Sequence, residues 1–91
     1  MNPVRPSWYY TYVLQSGRDK NFHIGVTANL VLRINQHNSG TVQSTKSRIP
    51  LKLIYYEACL SKGDAFRREK YLKTGMGKRY LKNRLKEGLT G

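Results

Sequence analysis

The sequence predicts an α+β domain in which helices pack against a three-stranded sheet, in the order strand, strand, helix, strand, helix, helix. Three observations predict it. Two alternating, aromatic-rich runs, WYYTYVLQ and FHIGVT, are separated by the polar reversal SGRDKN. Leu30, Ile34 and His37 follow directly, recurring at helical spacing. A third strand-like run, LKLIYYEA, then leads into two basic helical stretches.

Residues 1–7, with two prolines, read as a loose lead-in, residues 8–87 as one domain and 88–91 as a tail. In the first strand Trp8, Tyr10, Tyr12 and Leu14 share one face, and Tyr9, Thr11 and Val13 the other. The Gly, Asp and Asn of SGRDKN suit a turn. In the second strand His23, Gly25 and Thr27 oppose Phe22, Ile24 and Val26. A register setting Tyr12 against His23 would bring a phenol and an imidazole together. The first helix starts near Asn29, with Asn29 or Thr27 as its cap, and closes at Asn38 and Gly40. Arg33 and His37 edge the stripe that docks on the sheet.

The loop SGTVQSTKSRIP offers Lys46 and Arg48 as phosphate contacts, or is simply a solvated connector. In the third strand Leu51, Leu53 and Tyr55 alternate with Lys52, Ile54 and Tyr56, which suits a strand covered on both faces. The second helix opens at Ser61, with Asp64 completing a shortened capping box. Ala65, Glu69 and Leu72 line one face, so Glu69 is either an inward carboxylate or half of an ion pair with Lys73. Gly75-Met76-Gly77 reads as a break. A last helix from Lys78 packs through Tyr80, Leu81, Arg84 and Leu85, with Lys78, Arg79, Lys82 and Lys86 making it strongly basic.

Ninety-one residues support one domain. Seventeen Lys and Arg against five Asp and Glu give a formal charge of +12, self-repulsion that a polyanion such as nucleic acid would relieve. The single cysteine, Cys59, excludes an internal disulfide and a Cys-based zinc site. No apolar run approaches membrane-spanning length and no signal-peptide core is visible, so a cytoplasmic protein is expected.

Arg33, Glu69, Tyr12, His23 and His37 come from different elements yet could face one surface. A lone carboxylate suits one Mg²⁺ bound alongside phosphate oxygens. An arginine offsets charge growing on a phosphate, and a Tyr or His can take a proton from water. Together these describe in-line hydrolysis of a phosphodiester around one metal ion. A phenol with a pKa of about 10 needs cationic neighbours to serve as that base.

Tyr10-Thr11-Tyr12 followed by His23-Ile24-Gly25 resembles the paired signature of the GIY-YIG endonuclease superfamily. Arg33 stands where that family keeps its catalytic arginine, and His37-Asn38 resembles the pair ending its first helix. Glu69, in RREKYLK, stands at its metal-binding glutamate, and Asn83 resembles a polar residue that closes the site. The similarity covers about residues 8–85. It is closest to the small stand-alone YhbQ/UPF0213-like group and to the nuclease domain of the excision-repair endonuclease. It implies a central three-stranded antiparallel sheet flanked by helices and DNA cleavage dependent on Mg²⁺ or Mn²⁺. Tyr12 would be the base or orient the water, Arg33 would bind the scissile phosphate, Glu69 would hold the metal, and His37 would assist proton transfer or orient the phosphate. Lys46, Arg48, Lys78, Arg79 and Asn83 are the candidate nucleic-acid contacts.

Two positions depart from the pattern. Tyr10 replaces the leading glycine of the first motif, and His23 replaces the tyrosine of the second. His23 could take over the phenol's proton-accepting role, weaken the site, or mark a basic module that binds nucleic acid without cutting it. Retained activity is the favoured reading, because Tyr12, Arg33, His37 and Glu69 are all present. A nuclease component of a larger repair or mobile-element assembly is a further alternative. Weak sequence preference is expected, with targeting supplied by homodimerisation or a partner protein.

Overall fold

In a computed structural model, residues 7–90 are described. The expected lead-in lies almost wholly outside them. The sheet has three antiparallel strands, β1 (Tyr9–Ser16), β2 (Phe22–Thr27) and β3 (Leu51–Cys59), in the order β2-β1-β3. Helix α1 (Leu30–Asn38) covers one face, and α2 (Lys62–Leu72) and α3 (Gly75–Arg84) cover the other. A short α4 (Lys86–Thr90) occupies part of the expected tail. Helices do flank a three-stranded antiparallel sheet, as expected.

Alternation along β1 divides the core. Val13, pointing one way, packs with Ile24, Leu72 and Leu81. Tyr12 and Leu14, pointing the other way, pack with Leu51 beneath Leu30 and Ile34 of α1. Two pairings differ from expectation. Tyr12 stands opposite Gly25, and Leu14 is opposite His23, one pair further along the same face. Between Val13 and Leu14 the β1–β3 register shifts, so Val13 faces Tyr55 while Leu14 faces Leu53. This bulge leaves Ile54 without a counterpart and inverts the alternation of β3. Leu51 and Leu53 therefore stay under α1, while Tyr55 crosses to the α2–α3 face with Ile54.

The side chain of Asn29 caps α1 by accepting from Leu32 N at 3.1 Å. At the other end Asn38 binds both backbone groups of Leu51, accepting from its N–H at 2.7 Å and donating to its carbonyl at 2.8 Å. That two-point bond fixes where α1 sits along β3. On the opposite face Thr11 donates to Ala65 O at 2.8 Å, and Arg68 of α2 grips Glu57 of β3 with two bonds of 2.8 and 2.6 Å. The Tyr55 hydroxyl donates to the same carboxylate and meets that of Tyr80, tying α3 into the group. Burial and these acceptors push the Tyr55 phenol well above its ordinary range.

The helix boundaries need three corrections. Ser61 occupies the N-cap of α2 but makes no capping bond, and Asp64 pairs with Arg67 instead. Gly75-Met76-Gly77 forms the first turn of α3 rather than a break, with Gly77 N donating to the Thr74 hydroxyl at 3.1 Å. Arg84 is exposed and ends α3 instead of packing.

Gly77 is buried where α3 crosses the end of α2. A Cβ there would run into Tyr71 O and lie 2.5 Å from Leu72 Cα, whereas one on Gly75 meets nothing within 4 Å. Gly77→Ala should therefore cost about 3 kcal/mol or more in urea unfolding. Gly75→Ala should stay within about 1 kcal/mol of the parent protein.

Candidate active site

Beneath α1 a chain of buried hydrogen bonds joins three elements. Tyr12 (β1) is 1% exposed, and His37 (α1) and Thr45 are fully buried. The Tyr12 hydroxyl lies 2.8 Å from His37 Nε2, and His37 Nδ1 lies 2.7 Å from Thr45 Oγ1. Both ring nitrogens are thus satisfied, and the phenol cannot swing outward without breaking a buried bond. Gly25 makes the arrangement possible, because a Cβ at that position would sit 2.5 Å from the phenol oxygen.

His23 extends the cluster toward solvent. Its ring meets that of His37 edge to face at 4.9 Å, and lies 6.3 Å from the Tyr12 ring. Among the described residues it has no hydrogen-bond partner. Burial, then the Arg48, Lys73 and Arg33 cations, hold its pKa below the ordinary histidine value. Burial lowers His37 further, to about 4, with smaller contributions from His23 and Arg33. Both shifts favour the uncharged imidazole at neutral pH.

The surrounding charges come from separate elements. Arg33 projects from α1, half-buried, its guanidinium bonded to Gln36 Oε1 at 3.1 Å and without a carboxylate partner among the described residues. Arg48 follows a single 3-10 turn (Lys46–Arg48). Its carbonyl accepts from the buried Ser16 hydroxyl at 2.6 Å, and its Nε binds Asp19 at 3.1 Å. Glu69 of α2 and Lys73, the C-cap residue of that helix, form an ion pair of 3.2 Å, with the carboxylate side chain 20% exposed. Lys73 adds positive charge in the surroundings of His23.

Tyr12, His37 and His23 are thus grouped by direct contact, Arg33 stands near as a charge without touching the rings, and Glu69 bonds to none of them. Among the described residues no three His, Cys, Asp or Glu side chains form a metal cluster. A single carboxylate with one oxygen free suits a divalent ion that keeps most of its water. Lys46 and Arg79 are exposed and outside the group. Asn83 lines a shallow hollow with Tyr80 and Arg84, on the side of α3 turned toward Tyr55 of β3. The Glu69–Lys73 ion pair is one of the two readings the sequence offered. The sequence reading missed Thr45 and Ser16, which sit in polar stretches with no periodicity, and only the folded chain reveals what their side chains meet.

The hairpin and the helix that covers it bring the two motif segments together at a Tyr–His group, and the family model for the GIY-YIG catalytic domain matches residues 8–86. The chain belongs to that family. It is 37% identical over 75 residues to a UPF0213 protein of Staphylococcus haemolyticus, covering 81% of this chain and 90% of that one. A UPF0213 protein of Bacillus licheniformis is 36% identical over 85 residues, 89% of this chain and 87% of that one. One from Desulfotalea psychrophila is 37% identical over 71 residues, 76% of this chain and 63% of the relative's length. The solution structure of a UPF0213 protein from Bacillus halodurans superimposes with a TM-score of 0.52 at 31% identity, over 81% of each chain.

The unfolded chain binds a proton at His37 near pH 6.5, whereas the folded protein resists doing so until about pH 4. The folding stability should therefore be at its full value above about pH 6.5 and fall as pH drops toward 4, by a few kcal/mol. His23 contributes in the same direction. His37→Gln should flatten that slope in pH-dependent urea unfolding. Thr45→Val, which strips Nδ1 of its partner, should cost about 1–3 kcal/mol at pH 7.

Proposed function

We propose that this protein is an endonuclease that hydrolyses DNA phosphodiester bonds, with His23 as the group that accepts a proton from the attacking water. The observation that carries the reading is the position of His23: half-buried, its ring against that of His37 at 4.9 Å, without a hydrogen-bond partner among the described residues, and with burial and the charges of Arg48, Lys73 and Arg33 favouring the uncharged ring. A neutral imidazole can accept a proton near neutral pH, and the surrounding cations would hold the anionic phosphate beside it. Tyr12, engaged with His37 and out of solvent's reach, is better suited to positioning than to taking the proton itself. His37 holds Tyr12 and supports the His23 ring from behind.

Arg33 would hold the scissile phosphate and offset the charge that grows on its oxygens. Glu69 would hold Mg²⁺ or Mn²⁺, whose chemistry would be to polarise the phosphate and steady the leaving oxygen. Lys73, now paired with Glu69, would be released toward the phosphate when the carboxylate takes a cation. Contacts of this kind recognise phosphate rather than base edges, so intrinsic sequence preference is weak.

Incubating the protein with end-labelled single- and double-stranded DNA, with Mg²⁺, with Mn²⁺ and with chelator, tests the reading. Metal-dependent cleavage is expected, with losses of about 10²-fold or more for His23→Phe and for Arg33→Ala. Full turnover by His23→Phe would remove the ring from the chemistry. No cleavage under any metal, with binding unaffected by Glu69→Ala, would mean a binding module instead.

A further inference from the structure

A large cavity lies beside the His23 group rather than within it. It encloses about 480 Å³ and is lined by Lys20, Asn21, Phe22, Arg48, Lys78 and Lys82. Lys20 and Asn21 come from the β1–β2 turn, Arg48 from the 3-10 turn, and Lys78 and Lys82 from successive turns of α3. The turn is held in place by the buried Ser16 hydroxyl, which accepts from Arg18 N and Asp19 N while donating to Arg48 O. Lys20 stands at a φ of +64° and closes the reversal.

Four cations and no carboxylate line this cleft. Arg48 is partly committed, to Asp19 and to Phe22 O. Lys20, Lys78 and Lys82 are exposed and have no acidic partner among the described residues. Three unneutralised ammonium groups turned into one space repel one another, and an anion placed among them reverses the sign of that interaction. Asn21 adds a neutral hydrogen-bonding edge, and the half-buried Phe22 an apolar floor. Phe22 and His23 are consecutive in β2 with their side chains on opposite faces, and Arg48 reaches Phe22 O at 3.5 Å, so the cleft lies one residue from His23 along this outer strand.

The geometry points to a binding site for the sugar–phosphate backbone of the nucleic-acid strand flanking the bond to be cut, with Lys20, Lys78 and Lys82 on its phosphates. This rests on the nuclease reading for the identity of the ligand. The volume is enough for a nucleotide-sized unit, and lysines one helical turn apart on α3 can meet successive phosphates. Arg48, which lines the cleft and bonds to the backbone next to His23, is the junction.

The test is binding without turnover. Fluorescence anisotropy of labelled single-stranded and duplex DNA, in chelator and over a salt series, is measured for the parent, for Lys20→Ala and for Lys78→Ala/Lys82→Ala. Each phosphate contact removed should reduce the slope of log K against log salt by about 0.7 to 0.9, and the double variant should lose roughly tenfold or more in affinity at low salt. Lys52→Ala/Lys62→Ala, on exposed positions away from the cleft, should leave the slope unchanged. Parental slope and affinity in the cleft variants, or equal loss in the Lys52/Lys62 control, would overturn the assignment. Inorganic phosphate competing as strongly as a short oligonucleotide of the same phosphate concentration would also overturn it, in favour of a free-anion site. A parent protein that never cuts DNA but shows the expected slope changes would support the cleft while removing the nuclease reading.

Discussion

The hydrogen bond between the Tyr12 hydroxyl and His37 Nε2, at 2.8 Å, is the constraint on which the arrangement of this molecule depends. It joins the central strand to the first helix in a place that water does not reach. Breaking it would leave two buried polar groups unpaired, a cost of about 1–3 kcal/mol for each. Thr45 completes the chain, so the helix, the strand and the loop after the helix are registered by one line of atoms. Arg33, one turn before His37, inherits its position from that line. His23 meets the same imidazole edge to face, and only a glycine at position 25 leaves room for the phenol.

This explains how an outer strand can carry chemistry. β2 is bonded to a strand on one side alone, and α2 packs across the sheet face that carries Ile24. The clamp of Arg68 on Glu57, at the opposite edge of the sheet, holds α2 at a fixed angle. A two-point bond from Asn38 to Leu51 does the same for α1. The core provides rigidity, and Lys20, Arg48, Lys78 and Lys82 gather between the β1–β2 turn and α3. An anion entering there would relieve part of the self-repulsion that a net charge of +12 brings.

Much of this is legible in the residue order. Alternation in β1 and β2 and the helical spacing of Leu30, Ile34 and His37 define the faces, and with them which polar rings share a side. The pairing itself is not legible. Tyr12 falls opposite Gly25 because the SGRDKN reversal, tightened around Ser16, sets a register that turn residues alone do not specify. The bulge at Ile54 is equally hidden, since an alternating apolar strand reads the same whichever residue is left unpaired. Gly75-Met76-Gly77 reads as an interruption because glycine is a poor helix former, yet Gly77 is where two helix backbones touch. Thr45 carries no signal at all. Its hydroxyl matters only because His37 arrives beside it.

The most direct measurement is the ring-nitrogen NMR spectrum of the two histidines across a pH titration. His37 is expected to remain neutral from pH 8 down to near pH 4, in one tautomer, with both nitrogens showing hydrogen-bonded shifts. His23 is expected to titrate below the ordinary histidine range, with neither nitrogen bonded to the protein. A His37 ring that titrates near pH 6.5 and exchanges between tautomers would contradict the account, because the helix would then not be tied to Tyr12 and the group around it would have no fixed geometry.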